Sequence, residues 1–301
     1  MEELSLKWKP RVVVIGSGGI KGLMILGCLS PLEDVSLLES IDTFCGVSVG
    51  AIICLLMILG YKIREIVGNA AKIDIFKEIS DIDIHQIVNH NGILSNEPIR
   101  QKLITLVLDK IGTIPTLYDL YMKTGKSLII VTLNTTDERT EYMNPFTHPN
   151  ISCIDAIMYS MNIPFIYYQL MDTKGKIYVD GILADPYPVN YFDDHNTDIL
   201  GIYIKTTNND IKKDALSYIY KIFHASINQR VLSHINKSSN KCRHIELNTV
   251  FTDVIGVSLN IKDKAKLLID GYNIGKSFIE NLTHPITKKE IIKYNYPPYY
   301  L

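Results

Sequence analysis

Ser48 stands at the centre of Gly46-Val47-Ser48-Val49-Gly50, a Gly-x-Ser-x-Gly pentapeptide between a strand-like run and an apolar helix-like run. A serine hydroxyl becomes a nucleophile when a base takes its proton and donors hold the oxyanion formed on attack. The pattern is that of a nucleophile elbow, a sharp strand-to-helix turn that lifts the hydroxyl out of the backbone. Gly46 and Gly50 suit such a turn, because a side chain at either place would collide with the neighbouring strand or helix. Ile41-Asp42-Thr43-Phe44-Cys45 leads in as a short buried strand, and Ala51-Ile52-Ile53-Cys54-Leu55-Leu56-Met57-Ile58-Leu59 leads out as a helix. That is the context the motif requires.

The oxyanion donors are expected in Gly16-Ser17-Gly18-Gly19-Ile20-Lys21-Gly22, which follows the apolar run Arg11-Val12-Val13-Val14-Ile15. Consecutive glycines let backbone N–H groups converge on one point, and the following helix adds its positive N-terminal end. Lys21 adds a cation nearby. A dinucleotide-binding fingerprint competes, since this loop also joins a strand to a helix. Its spacing is not a clean G-x-G-x-x-G, however, and no apt acidic residue ends a second strand.

Two kinds of base are open. Histidine is the usual partner of a catalytic serine. The chain has eight, at 85, 90, 148, 195, 224, 234, 244 and 284, none in a recognisable strand-end setting. His195, in Phe192-Asp193-Asp194-His195-Asn196, is the best placed, and its bland reading is a solvated loop residue. His85 and His90 lie five apart, a poor spacing for a shared metal on a helix. The other option is Asp180, which ends a strand at 176–179 and precedes Gly181 at the carboxyl edge where active sites form. It would be a weak base unless burial raised its pKa. On these residues alone, an ordinary turn aspartate is an equal reading.

The elements that must position these groups alternate. Strands are expected at 11–15, 41–45, 127–133, 177–179, 198–204 and 244–247, with a hairpin partner near 140–142. Helices are expected after Gly22 and Gly50, at 62–69, from Ser95-Asn96-Glu97-Pro98 onward, and at 117–122, 152–161, 214–235 and 263–282. The alternation predicts a three-layer α/β/α fold with a mainly parallel central sheet, in a single domain over 1–301, with a lid or variable cap near 70–95. The uncharged stretch 43–61 is long enough to span a bilayer. Its glycines and β-like start instead predict a strand followed by a buried helix.

With 301 residues, 47% hydrophobic and 21% charged, the chain reads as globular. A formal charge of −1 gives no electrostatic case for nucleic acid. Five cysteines without C-x-x-C spacing, and an N-terminus without a basic start and apolar core, predict a reduced, cytoplasmic protein.

Together these motifs resemble the patatin-like phospholipase family over 11–190. Gly16 to Gly22 is similar to its oxyanion loop, Gly46 to Gly50 to its nucleophile motif, and Asp180-Gly181 to its Asp-Gly motif. Leu117-Tyr118-Asp119-Leu120-Tyr121 through Thr124-Gly125-Lys126 resembles the segment before its central strand. Ala156-Ile157-Met158-Tyr159-Ser160-Met161-Asn162-Ile163-Pro164 resembles its helix-to-proline segment. The resemblance implies a Ser-Asp dyad with Ser48 as nucleophile and Asp180 as proton acceptor. It implies an oxyanion hole around Gly18 and Gly19, and a reaction that needs neither metal nor cofactor. The implied activity is hydrolysis of carboxylic esters of phospholipids or other acyl lipids through an acyl-enzyme, with transient contact to a membrane surface.

The chain departs from the family at Ser17, where a third glycine is frequent, and at Ile182, where Gly or Ala usually follows. At Asp185 asparagine is common, which makes Asp185 a fallback base. Ile182 supports the alternative of a catalytically silent lipid-binding or scaffold protein. Residues 205–301 are a divergent C-terminal part. Basic residues at 205–243 could attract anionic head groups, and Pro297-Pro298-Tyr299-Tyr300 fits a PPxY ligand of WW domains.

Overall fold

The computed structural model describes residues 8–70, 90–206, 215–250 and 259–283. The sequence expectations for the lid, His85 and the PPxY tail fall wholly or largely outside them. The chain opens with β1 (Val12–Ile15), α1 (Gly22–Asp34), β2 (Thr43–Val47), α2 (Val49–Ile58) and α3 (Ile63–Ala70). Next come β3 (Gly92–Leu94), α4 (Glu97–Ile111), α5 (Leu117–Thr124), β4 (Ser127–Asn134), β5 (Arg139–Met143), α6 (Cys153–Ser160), β6 (Phe165–Tyr167), β7 (Leu170–Met171) and β8 (Ile177–Asp180). It closes with β9 (Ile199–Thr206), α7 (Ala215–Lys237), β10 (Cys242–Thr249) and α8 (Ile261–Thr283).

One sheet runs in the order β10-β9-β1-β2-β4-β8-β7, with β5 on the remaining edge of β4. The five strands from β10 to β4 are parallel, and β5, β7 and β8 join antiparallel. The unbroken run Val12-Val13-Val14-Ile15 is buried on both faces, as a central parallel strand must be. Val13 and Ile15 point into the larger core, which is lined by α1, α2, α4, α5, α6 and α8, and Val12 and Val14 into a smaller one against Tyr187, Val189 and Val231. These are the three layers expected, with unequal cores.

Local signals set the helix ends. Thr116 caps α5 through a capping box with Asp119, and the Ser152 hydroxyl accepts the Ile154 N–H at the start of α6. The uncharged stretch 43–61 is β2 followed by α2, which has 10 residues. Among the described residues no helix is long and apolar enough to cross a membrane.

The register of β4 brings distant residues together. β2 pairs with β4 from Thr43↔Ser127 to Val47↔Val131 and then turns away. Along 132–134 one edge of β4 holds β5, so β8 takes the edge that β2 has left, with Asp180 opposite Thr132. The residue after Val47 and the last residue of β8 therefore meet at one level of the sheet.

Candidate active site

Ser48 occupies the turn between β2 and α2 with φ 57° and ψ −123°. A positive φ is uncommon outside glycine and costs on the order of 1–3 kcal/mol, held in place by the surrounding packing. The neighbours of the turn leave no room for side chains. A Cβ on Gly46 would overlap the backbone of Ala51, and one on Gly50 would overlap the carbonyl oxygen of Ile15. Both glycines are thus required by close backbone approach, and Gly50 seats the start of α2 against the end of β1.

The strain is braced by Ser160, at the end of α6. Its hydroxyl accepts the Ser48 N–H at 2.9 Å and donates to the Val131 carbonyl at 2.6 Å. Ser160 is fully buried.

Asp180 is 1% exposed, and the Ser48 side chain lies close enough to lower the pKa of its carboxyl. Its Oδ1 accepts the Ile182 N–H at 2.8 Å, and its own N–H donates to the Asn162 carbonyl at 2.9 Å. The Asn162 amide in turn donates to the Tyr178 carbonyl at 3.0 Å, tying the same segment to β8. Burial pushes the Asp180 carboxyl up to about 7, against the opposing pull of the Ile182 N–H and the Ser48 side chain. A carboxylate of that basicity is suited to general-base chemistry near neutral pH. A tight contact beside it falls on Gly181, where a Cβ would overlap the Val131 carbonyl.

The loop after β1 lies against the elbow. A Cβ on Gly22 would come within 2.8 Å of Val49, and one on Gly18 within 3.6 Å of it. The Gly16 N–H is spent on Ile202 O at 2.9 Å and the Ser17 N–H on Pro186 O at 3.4 Å. Among the described residues no acceptor bonds the N–H groups of Gly18 and Gly19. These are the two glycines at which the sequence places the oxyanion donors. Lys21, at the end of this loop, is buried. It is 4% exposed, its Nζ donates to Thr206 Oγ1 at 3.0 Å, and it does not line the cavity at Ser48.

That cavity, of about 160 Å³, runs from Gly19 and Ser48 between α1, α2, α3 and α4. Leu23, Ile52, Leu103 and Met161 are among its walls, and apart from Ser48, Asn69 and the Tyr167 hydroxyl the lining side chains are apolar. No described histidine lines it. His195 is an exposed turn residue at φ 64° whose N–H bonds Asp193. Among the described residues no cluster of three or more His, Cys, Asp or Glu could hold a metal ion.

Asp185, the fallback base, is engaged elsewhere. Its carboxylate accepts from the Tyr142 hydroxyl at 2.8 Å and the Tyr187 N–H at 3.3 Å, and lies 3.2 Å from His234 Nε2. Several basic residues of 205–243 have partners of their own. Lys205 pairs with Glu246, Lys241 with Asp198, and Arg243 lies over the Trp8 ring. Sequence reasoning left out Ser160 and Asn162 as site residues. The one signal was a serine and an asparagine at the end of an otherwise apolar helix.

Comparison with known proteins can be set beside this geometry. The model of the family described as patatin-like phospholipase matches residues 13–193. The chain is 29% identical over 195 residues to "Probable lipid hydrolase 463L" of Invertebrate iridescent virus 6, covering 62% of this chain and 65% of that one. It is 28% identical over 199 residues to an uncharacterized protein of Acanthamoeba polyphaga mimivirus, covering 65% and 66%. The matches thus span just under two thirds of these curated relatives' own length. Among solved structures, VipD from Legionella pneumophila superposes with a TM-score of 0.58 at 15% identity, over 91% of this chain and 67% of that one. ExoU of Pseudomonas aeruginosa, in complex with SpcU, gives 0.53 at 14% identity, over 92% and 53%. At such identities the likeness is one of fold.

Proposed function

The chain belongs to the patatin-like phospholipase family, and from that premise we propose that it is a lipid acyl hydrolase with Ser48 as nucleophile and Asp180 as proton acceptor. Ser48 Oγ attacks the carbonyl carbon of a carboxylic ester, and its proton passes to the Asp180 carboxylate. The carbonyl oxygen becomes an oxyanion held by the Gly18 and Gly19 N–H groups. Collapse expels the alcohol, which takes the proton from Asp180 and leaves an acyl ester on Ser48. Asp180 then deprotonates a water that attacks this ester, releasing the fatty acid and restoring Ser48.

The observation that carries the reading is a buried Asp180 set beside Ser48 at the head of an apolar cavity. An acyl chain in that cavity gains about 0.8 kcal/mol per buried methylene, which favours lipid esters over short ones. Such substrates reside in bilayers or micelles, so the protein meets a membrane surface transiently. The alternative, a catalytically silent lipid-binding or scaffold protein, rests on Ile182, whose N–H bonds the Asp180 carboxylate; lipid binding without turnover would favour it. We assign the C-terminal part to the same domain, on the grounds that β9 and β10 extend the sheet and α8 packs along α1.

Release of fatty acid from phospholipid vesicles and of p-nitrophenol from acyl esters tests the proposal. Wild type should cleave both and folded Ser48→Ala neither; full activity in Ser48→Ala overturns it.

A further inference from the structure

On the opposite side of the sheet from the acyl cavity lies a second one, of about 340 Å³. It is polar. Arg230, His234 and Lys237 reach it from α7, at the i, i+4 and i+7 spacing that puts them on one helix face. Tyr142 from β5, Asp185 and Asn190 form the facing wall.

The charges here do not cancel. The Asp185 carboxylate is taken up by His234 Nε2 at 3.2 Å, the Tyr142 hydroxyl and the Tyr187 N–H. Arg230 donates only a long bond of 3.4 Å to the Leu183 carbonyl, and neither Arg230 nor Lys237 has a carboxylate partner among the described residues. Two cations therefore remain over the cavity. Two buried polar atoms also lack a partner there, Asn190 Oδ1 and His234 Nδ1. A buried polar atom left unpaired costs about 1–3 kcal/mol, so a matching ligand gains by satisfying both.

We propose that this cavity binds a phosphate group that carries an O–H. Its oxygens take the Arg230 fork and the Lys237 ammonium. The phosphate O–H donates to Asn190 Oδ1, and a phosphate oxygen or O–H meets His234 Nδ1. Inorganic phosphate and the phosphomonoester of a lipid head group share this chemistry. The site is independent of Ser48 and of the activity proposed for it.

Calorimetric titration of the intact protein with inorganic phosphate, at pH 7 and low salt, tests the proposal. One saturable site is expected. Arg230→Gln with Lys237→Gln, both exposed on α7, should weaken it at least about tenfold, or ~1.4 kcal/mol. Sulfate, with no O–H to offer Asn190, should bind more weakly than phosphate, and Ser48→Ala should bind as wild type does. In a second arm, binding to phosphatidate vesicles but not phosphatidylcholine vesicles, lost in the double variant, assigns the lipid head group. Phosphate binding without such vesicle binding assigns the free anion. No saturable phosphate binding by wild type, or equal binding by the double variant, overturns the proposal.

Discussion

The hydroxyl of Ser160 accepts the Ser48 N–H at 2.9 Å and donates a hydrogen bond to the Val131 carbonyl at 2.6 Å. A residue 112 positions downstream thereby fixes the backbone of the elbow to the strand beside it. The same segment holds Asp180 through Asn162. One short stretch thus sets the separation of the two groups proposed to react.

Ser160→Ala should therefore lower kcat by at least about tenfold with KM nearly unchanged. Two buried backbone groups lose their partner, at about 1–3 kcal/mol each, so the melting temperature falls as well. Ser160→Thr, which keeps the hydroxyl, should recover kcat. Steady-state kinetics on a soluble acyl ester, run with a melting curve, separates positioning from simple loss of fold.

The raised Asp180 pKa of about 7 makes activity depend on pH in a defined direction. The base must be ionised, so kcat should rise through about pH 7 to a plateau above it. The sign for stability is opposite. The folded state binds the proton more tightly than the unfolded chain, whose carboxyl titrates near 3.8, so stability is lost as pH rises from about 4 through about 7. Asp180→Asn removes that loss. It should stabilise the protein at pH 8, by up to the order of 4 kcal/mol at 1.36 kcal/mol per pKa unit, and much less at pH 4. Denaturant melts of both proteins at the two pH values measure this.

How far all this was legible depended on whether a residue acts through its local setting or a remote partner. Ser48, Gly46 and Gly50 could be read because strand, turn and helix are contiguous in sequence. Asp180 is a different case, since its residue type and strand end allowed two readings and only the family motif favoured one. Its neighbourhood is set by β8 entering antiparallel where β2 leaves β4, a register with no mark in the sequence. The role of Ser160 was hidden for the same reason, because its partners are backbone atoms of the elbow and of β4. The burial of the Lys21 ammonium against Thr206 could not be read either, because it depends on where β9 ends. The alternation of strands and helices, by contrast, follows from patterns of a few residues and carried over to the sheet.

Glycine at the elbow is a steric requirement. Gly46→Ala would press a methyl group into the Ala51 backbone, and Gly50→Ala into the end of β1. Overpacking of this kind costs about 1–3 kcal/mol or more. Each variant should melt several degrees below wild type, whereas Gly112→Ala, whose Cβ meets nothing within 4 Å, should lose only the smaller cost of its positive φ. Thermal melts of the three variants make the comparison.

The apolar cavity should set chain-length preference. Ala70, half-buried at the end of α3, faces it. Ala70→Trp should fill part of that space and slow hydrolysis of a long-chain p-nitrophenyl ester by about tenfold or more, while the acetyl ester is cleaved as before. At about 0.8 kcal/mol per methylene, excluding two methylenes is enough for that factor.

The central claim is that Ser48 is a nucleophile activated by Asp180. Its most direct test is intact-mass and peptide mapping after treatment with a fluorophosphonate at pH 8. Wild type is expected to gain one adduct, on the peptide carrying Ser48, and Asp180→Asn to gain it at least about a hundredfold more slowly, in line with the 10²–10⁴ contributed by a general base. An adduct on another serine, or equal labelling of Ser48 in Asp180→Asn, would contradict the account.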